Sequence, residues 1–206
     1  MQLLARLRAQ GVAESRVLEA IAATPRELFL PEALRLRAWE DFAFEIGYGQ
    51  TISQPSVVAR MTTLAEVRGT DRVLEIGTGS GFQAAVLARL ARFVFTVERI
   101  PELAAQARQR LAALGLANVT VQVMDGSLGW RAHAPYDVIM VTAAAPAIPQ
   151  PLLEQLGPGG RLVAPVGDLQ HQELVRVTRN GDGFITERYG PARFVPLVGK
   201  EGFASA

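Results

Sequence analysis

The chain contains no cysteine, and this absence excludes several kinds of chemistry. Disulfide bonds, thiolate nucleophiles and cysteine-ligated metals all require that residue. Histidine is almost as scarce, since the 206 residues include only His133 and His171. A metal site built from several histidines is therefore not expected, and we predict no metal cofactor. We also expect both histidines to lie at the surface or in loops, without a catalytic role.

An excess of charge of one sign is also lacking. Lysine and arginine total 21 and aspartate and glutamate 20, which leaves a net charge of +1. This balance gives no electrostatic reason to expect nucleic acid or an anionic membrane as a partner. The longest uncharged run, residues 138–153, contains three prolines and is not expected to span a membrane. The first ten residues lack the apolar core of a signal peptide, so we expect a cytoplasmic protein.

The composition, with 49% hydrophobic and 20% charged residues, is that of a globular chain. We expect a single domain over residues 1–206, because this length can bury one sizeable core. Residues 1–66 are expected to form N-terminal helices and a segment that covers the ligands. Within that part, Leu3, Leu4 and Leu7 begin a helical pattern that runs to about Pro31. Residues 40–56 predict an irregular polar segment that leads into a helix at 55–65.

Strands and helices alternate from residue 71 to residue 167. Strands are predicted at 72–76, 93–97, 119–123, 138–141 and 161–166, and helices at 82–91, 101–114 and 149–156. Apolar strands that alternate with helices indicate a Rossmann-like α/β fold, with a doubly wound, mostly parallel sheet and helices on both faces. In the last part, residues 168–206, two further strands at 173–178 and 184–189 flank R-N-G-D-G, a hairpin signal. We expect them to form an antiparallel pair.

A glycine-rich loop follows the first strand of this core. The sequence V-L-E-I-G-T-G-S-G-F places Gly77, Gly79 and Gly81 between a strand and a helix. Glycine lets the chain turn sharply there and lets a ligand approach bare backbone, although glycines also end strands for structural reasons alone. A dinucleotide fingerprint would require glycine at the position of Phe82, and no Gly-Lys-Ser/Thr of a phosphate-binding loop follows. The pattern therefore favours a nucleoside ligand without phosphate.

Two acidic residues follow the next two strands. Glu98 lies 21 residues after Gly77, where a carboxylate can accept hydrogen bonds from both ribose hydroxyls of an adenosine. Asp125, in M-D-G, can reach the adenine amino group. The structural alternatives are a solvated strand-end charge for Glu98 and an ordinary turn for Asp125. Together with the glycine loop they predict S-adenosylmethionine as the cofactor and S-adenosylhomocysteine as its product.

Longer segments carry a more specific signal. They are G-Q-T-I-S-Q-P at 49–55, V-L-E-I-G-T-G-S-G-F-Q at 73–83, V-E-R-I at 97–100, P-Y-D-V-I-M-V-T-A-A-A-P at 135–146, L-G-P-G-G-R-L-V-A-P-V-G at 156–167 and R-F-V-P-L-V at 193–198. With them the chain resembles bacterial-type protein-L-isoaspartate O-methyltransferases from about Leu18 to Lys200. The resemblance implies methyl transfer from S-adenosylmethionine to the free α-carboxylate of L-isoaspartyl residues in damaged proteins. It also implies isoaspartyl peptides and proteins as partners, and a monomer.

The resemblance implies site residues as well. Ser53 is expected to orient the acceptor carboxylate, which is already ionised at neutral pH and needs no general base. The alternative is that Ser53 only caps the helix that begins near Pro55. Pro196, Leu197 and Val198 are expected to bind the backbone of the substrate peptide, or else to form an edge strand. The cofactor is expected to contact Thr51, Ile52, Gln54, Glu75, Gly77, Thr78, Gly79, Ser80, Gly81, Glu98, Arg99, Asp125, Gly126 and Thr142.

Other functions stay open at this point. V-T-A-A-A-P at 141–146 replaces the N-P-P-Y of many amine methyltransferases, which argues against an amine acceptor. A methyltransferase for another carboxylate, a small molecule or RNA remains an alternative. So do a nicotinamide-dependent oxidoreductase and a nucleotide-binding module without activity. The residues after Lys200 cannot be matched to the family.

Overall fold

The central element is a seven-stranded sheet in a computed structural model that describes residues 14–204. The strands are β1 Phe44–Gly47, β2 Gln50–Ile52, β3 Arg72–Ile76, β4 Phe93–Glu98, β5 Val119–Val123, β6 Tyr136–Val141, β7 Leu156–Gly167, β8 Gln172–Asn180 and β9 Gly183–Ala192. The order in the main sheet is β5-β4-β3-β6-β7-β8-β9, and the first five of these are parallel. Both β8 and β9 run antiparallel to their neighbours. The predicted fold class and the predicted antiparallel pair are confirmed.

Five α-helices lie within residues 14–204: α1 Ser15–Ala22, α2 Pro55–Ala65, α3 Phe82–Ala88, α4 Pro101–Ala113 and α5 Gln150–Glu154. Pro55 and Pro101 lie in the first turn of their helices. A backbone N–H in that turn has no partner within the helix, so proline removes no helical hydrogen bond there. The expected helix up to Pro31 is interrupted instead, because short 3₁₀ helices at Arg26–Phe29 and Glu32–Arg37 each follow a proline. The predicted helical pattern at Leu3, Leu4 and Leu7 lies outside the described residues. No helix in the described part of the chain is long and apolar enough to cross a bilayer.

The sheet buries side chains on both faces because successive residues of a strand point in opposite directions. Val73 and Val138 belong to a cluster packed under α1, α2, α3 and α4. Their neighbours Leu74 and Ile139 belong to a second cluster, on the face covered by α5. The chain changes face between β3 and β6, which are adjacent in the sheet but separated by two other strands in sequence. A crevice forms at such a switch point, beyond the carboxyl ends of the strands.

Two predicted segments differ most from the structure, and the other helix and strand ends predicted after residue 71 differ by at most three residues. The polar segment at 40–56 contains the antiparallel pair β1–β2, in which Phe44 faces Ile52 across the ladder. These strands were not predicted, because three or four residues are too few to show an alternating pattern. Strand β7 begins at Leu156, five residues before the prediction, because the G-P-G-G run forms an irregularity inside the strand, with a φ of +68° at Gly159 and a shift in the pairing with β6. A Cβ at Gly160 would lie 3.0 Å from the Tyr136 carbonyl oxygen, so the close pairing with β6 requires glycine there.

The segment after β9 returns to the carboxyl end of β6. The Ala144 N–H donates to the Val195 carbonyl at 2.8 Å, and the Leu197 N–H donates to the Ala144 carbonyl at 2.7 Å. Residues 195–198 are therefore fixed beside the crevice although they are more than 50 residues away from β6 in sequence.

Candidate active site

A crevice with an empty volume of about 840 Å³ lies at the carboxyl ends of β3, β4 and β6. It brings together most of the residues that the sequence predicts for the site. These are Thr51, Ile52, Ser53, Gly77, Thr78, Gly79, Ser80, Glu98, Arg99, Gly126, Thr142, Pro196, Leu197 and Val198. Gln54, Glu75, Gly81 and Asp125 do not line it.

The glycine loop presents bare backbone to the crevice. Gly77 has a φ of +97°, and a Cβ there would lie 2.6 Å from the Thr142 hydroxyl oxygen. That hydroxyl donates to the carbonyls of Ile76 and Gly77, at 2.9 and 2.7 Å. A side chain at residue 77 would thus strain the backbone and disrupt the contact between β3 and β6. Gly81 instead lies against Ala107 of α4, so its role is helix packing rather than ligand contact.

Glu98 supports the loop from the end of β4. One carboxylate oxygen accepts from the Gly79 N–H at 2.8 Å, and the other accepts from the Ile100 N–H at 3.1 Å. Each oxygen has two lone pairs, so the carboxylate retains two acceptor positions for a ligand. Arg99, the next residue in the sequence, is the single positively charged residue of the crevice lining. The described lining thus combines a single cation with the Glu98 carboxylate.

Glu75 lies beneath the glycine loop rather than in the crevice. Its side chain is fully buried and accepts a hydrogen bond from Thr96, whose hydroxyl also pairs with Thr78 at 2.6 Å. The other carboxylate oxygen has no hydrogen-bond partner. Burial raises the pKa of Glu75 to about 8, and the nearby Glu98 adds to this increase. Glu75 therefore reaches the crevice only through Thr96 and Thr78, contrary to the expected direct contact.

Asp125 binds the C-terminal segment instead of facing the crevice. Its carboxylate accepts from the N–H and hydroxyl of Ser127, at 2.9 and 2.7 Å, and from the Lys200 N–H at 2.8 Å. Partial burial acts to raise the pKa of Asp125, but these hydrogen bonds outweigh it and lower the pKa. The neighbouring Gly126 does line the crevice. The residues after Lys200, which could not be matched by sequence, continue this attachment, since the Glu201 N–H donates to the Ser127 hydroxyl at 3.0 Å.

A second cavity, with an empty volume of about 350 Å³, adjoins the crevice. Both cavities are lined by Thr51, Ser53, Val57, Thr142 and Val195. The second one also contains Gln54 and Arg193. Ser53 therefore stands at the boundary between two spaces.

Helix capping does not account for this position of Ser53. Helix α2 has Gln54 as its N-cap, and the Ser56 N–H donates to Asp41 at 2.9 Å. Arg193 was not among the predicted site residues. In the segment R-F-V-P-L-V, only the backbone of residues 196–198 was expected to bind the substrate. The positive charge of Arg193, its first residue, is the signal that could have identified it, because the expected acceptor is a carboxylate.

Comparisons with known proteins show the family of this chain. The family model for protein-L-isoaspartate(D-aspartate) O-methyltransferase matches residues 1–202. The chain belongs to this family. A protein-L-isoaspartate O-methyltransferase of Methanospirillum hungatei is 51% identical over 197 residues, which cover 96% of this chain and 91% of the relative. Another protein of that name, from Syntrophobacter fumaroxidans, is 54% identical over 194 residues, 94% of this chain and 91% of the relative.

Solved structures of the family share the fold. One protein-L-isoaspartate O-methyltransferase superposes with a TM-score of 0.87 at 29% identity, over 98% of this chain and 66% of the solved chain. A Plasmodium falciparum protein described as a putative member, solved in complex with S-adenosyl-L-homocysteine, gives a TM-score of 0.82. Its identity is 22%, over 96% of this chain and 97% of the other, so it supports the fold alone.

The buried carboxyl of Glu75 predicts a pH-dependent stability. The folded chain keeps a proton on Glu75 up to about pH 8, whereas the unfolded chain loses it near the ordinary pKa of 4.5. Between these values the free energy of unfolding falls as pH rises, by up to about 1.4 kcal/mol per pH unit. Glu75→Gln removes this titration, so its stability should decline less between pH 6 and 8. Urea unfolding without cofactor at a series of pH values measures the difference. The exposed Glu102→Gln is the control, and parallel curves for Glu75→Gln and the unchanged chain would contradict the assignment.

Proposed function

We propose that this chain transfers a methyl group from S-adenosyl-L-methionine to the free α-carboxylate of L-isoaspartyl residues in damaged proteins. This ester would be the first step of repair to aspartate. The observation that carries the proposal is that Ser53 lines both the glycine-rich crevice and the adjoining cavity, in a chain of the isoaspartate methyltransferase family. The proposal includes a monomer in the cytoplasm, as expected from the sequence and the resemblance.

The crevice fits the chemistry of this cofactor. S-adenosylmethionine contains an adenosine, a sulfonium and an amino acid, and it has no phosphate. The lining offers bare backbone at Gly77 and Gly79, and beside them the Glu98 carboxylate, which we expect to accept hydrogen bonds from ribose hydroxyls. Arg99 alone among the lining residues is cationic, which suits a ligand whose sulfonium is itself positive. When bound, the cofactor supplies an activated methyl group.

The acceptor side requires positioning rather than proton transfer. A carboxylate is ionised at neutral pH, so no general base has to be present. The second cavity is lined by neither histidine nor acidic residues, and this agrees with that requirement. Alignment of oxygen, methyl carbon and sulfur can supply roughly 7–11 kcal/mol of the barrier reduction. We expect the Ser53 hydroxyl to be the neutral donor at the boundary, and Arg193 is the one cation in the described lining of the second cavity.

The segment 196–198 offers backbone groups to a peptide. Val195 and Leu197 use their carbonyl and N–H to pair with Ala144. In an extended chain the alternate groups, the Pro196 carbonyl and the Val198 N–H, point to the opposite side. An extended substrate could pair with them through its main chain, which places little demand on its side chains.

A pair of synthetic peptides tests the proposed function directly. The two peptides share one sequence and differ only in containing aspartate or L-isoaspartate at one position. We expect a base-labile methyl ester on the isoaspartyl peptide alone, measured with labelled S-adenosylmethionine. Equal labelling of the two peptides, or labelling of neither, would contradict the proposed function. Labelling of a small carboxylic acid instead would support the alternative acceptor.

The cofactor role of the glycine loop is tested by Gly77→Ala. A Cβ at this position would press on Thr142, so we expect S-adenosylhomocysteine to bind at least about 10-fold more weakly, measured by calorimetry. Gly181→Ala is the matched control, because Gly181 also has a positive φ, of +60°, but has open space around it. Both variants should lose roughly 1–2 kcal/mol of stability from the left-handed backbone. Equal affinities in the two variants would argue against binding at this loop.

The orienting role of Ser53 is tested by Ser53→Ala. Loss of one oriented donor should lower kcat roughly 10- to 100-fold, while the affinity for S-adenosylhomocysteine changes little. Ser56→Ala serves as the control, since Ser56 lies three residues on and lines neither cavity. A Ser53→Ala variant that keeps full turnover of the isoaspartyl peptide would remove Ser53 from the mechanism.

A further inference from the structure

Arg26 is the largest fully buried side chain of the described residues. Its guanidinium donates to three backbone carbonyls, those of Ala38, Phe42 and Ser53, the last two at 3.0 Å. It has no carboxylate among these partners, and burial lowers the pKa of Arg26 to about 10. A cation held by carbonyls away from water is costly to maintain, which calls for a reason beyond packing.

The position of Arg26 suggests that reason. Its guanidinium lies over the rings of Phe44 and Phe82, at 5.6 and 5.8 Å from their centres. Phe82 lines the cofactor crevice, and Phe44 belongs to the β1–β2 hairpin. One planar group thus contacts the crevice wall, the hairpin and the carbonyl of the residue proposed to orient the acceptor.

We propose that Arg26 is a positioning residue for methyl transfer, which fixes the Ser53 backbone so that the Ser53 hydroxyl is held between the two cavities. This inference rests on the proposed function. Ser53 lies between the end of β2 and the first turn of α2, and its carbonyl bond to Arg26 joins residues 27 positions apart. Without that bond the connection could turn, and the hydroxyl would leave the line of the reaction. A displacement of about 1 Å can cost roughly 100-fold in rate.

Lysine cannot replace Arg26 in this role. A guanidinium has five donors in a rigid, planar fork and can serve carbonyls in different directions, whereas an ammonium is a compact point charge on a flexible stem. Arg26→Lys keeps the positive charge but is expected to lose the bond to Ser53 or that to the 38–42 segment. Arg26→Gln removes the charge as well, and the two variants separate charge from geometry.

The protein provides a matched control in Arg161, the other buried arginine among the described residues. Arg161 also holds backbone carbonyls, those of Ala65 and Glu66 at 3.1 and 2.9 Å, and it pairs with Asp71 at 2.7 Å. These groups lie near the amino-terminal ends of the strands, opposite the crevice. A purely structural effect of losing a buried arginine should therefore appear equally in Arg161→Lys and Arg26→Lys.

The experiment compares lysine and glutamine variants of both arginines. Melting temperature, S-adenosylhomocysteine affinity and the kcat and KM for an isoaspartyl peptide are measured, each variant being assayed well below its own melting temperature. We expect all four variants to melt earlier. The Arg26 variants should lose roughly 10- to 100-fold in kcat with cofactor affinity nearly unchanged, and the Arg161 variants should keep kcat.

A double variant completes the test. If Arg26 acts through Ser53, then Arg26→Lys should lower kcat far less in a Ser53→Ala background than in the unchanged chain. Additive losses, full kcat in the Arg26 variants, or equal losses in the Arg161 variants would overturn the inference while leaving the proposed function intact. Failure of both Arg26 variants to fold would assign Arg26 to stability alone and overturn it too. If the unchanged protein does not methylate the isoaspartyl peptide, the proposed function fails and this inference fails with it.

Discussion

The contact between Thr142 and Gly77 is the constraint from which the site follows. It joins the ends of β3 and β6, the two strands between which the chain changes face of the sheet. With a side chain at residue 77 these ends could not approach so closely, and the wall between the cofactor crevice and the second cavity would move. Thr142 lines both cavities, so the residue whose hydroxyl connects the two strands also lies between the two cavities. The shape of the two cavities at this point thus depends on the packing of Thr142 against the backbone of Gly77.

Two ionisable groups near the site are buried at some cost to stability. Glu75 is buried with one oxygen unpaired, and Arg26 is buried among carbonyls. Neither arrangement is favourable by itself, because burial removes water from the Arg26 cation and holds Glu75 in its protonated form, with one oxygen lacking a hydrogen-bond partner. The well-packed clusters on the two faces of the sheet offset this cost. Buried polar groups that hold a loop rigid are consistent with a reaction that relies on alignment. A flexible loop would let the bound cofactor and acceptor leave their reactive alignment, and the rate gained from holding the two reactants together would be lost.

Much of the fold was predictable from the sequence because its strong signals are local. The apolar runs of β3, β4 and β6 and the glycine loop each fall within ten residues, and they appear where predicted. The β1–β2 hairpin was missed because its strands are only four and three residues long. The early start of β7 was missed because G-P-G-G resembles a turn, whereas in the structure it is an irregularity inside the strand that packs closely against Tyr136.

The details of the site were harder to predict because they depend on distant partners. Asp125 appeared free to face an adenine, yet its carboxylate binds the N–H of Lys200, 75 residues later. Arg26 belongs to no recognised sequence motif. Its contacts exist only in the folded chain, where the carbonyls of Ala38 and Ser53 both accept hydrogen bonds from its guanidinium. Glu75 could have been placed correctly from strand alternation, since Leu74 and Ile76 both face the second cluster and Glu75 must point the other way.

The extended segment at Pro196–Val198 has a consequence for what such an enzyme could reach. Under the proposed function, the enzyme binds a substrate through hydrogen bonds to the substrate's backbone N–H and C=O groups. When the damaged residue lies within a helix or an inner strand, its backbone groups are already paired inside the substrate protein. A damaged residue in a rigid region would first have to be released by local unfolding. The rate of repair would then reflect the opening equilibrium of the client protein, so that frayed ends and loose loops are corrected first and the interiors of folded proteins last.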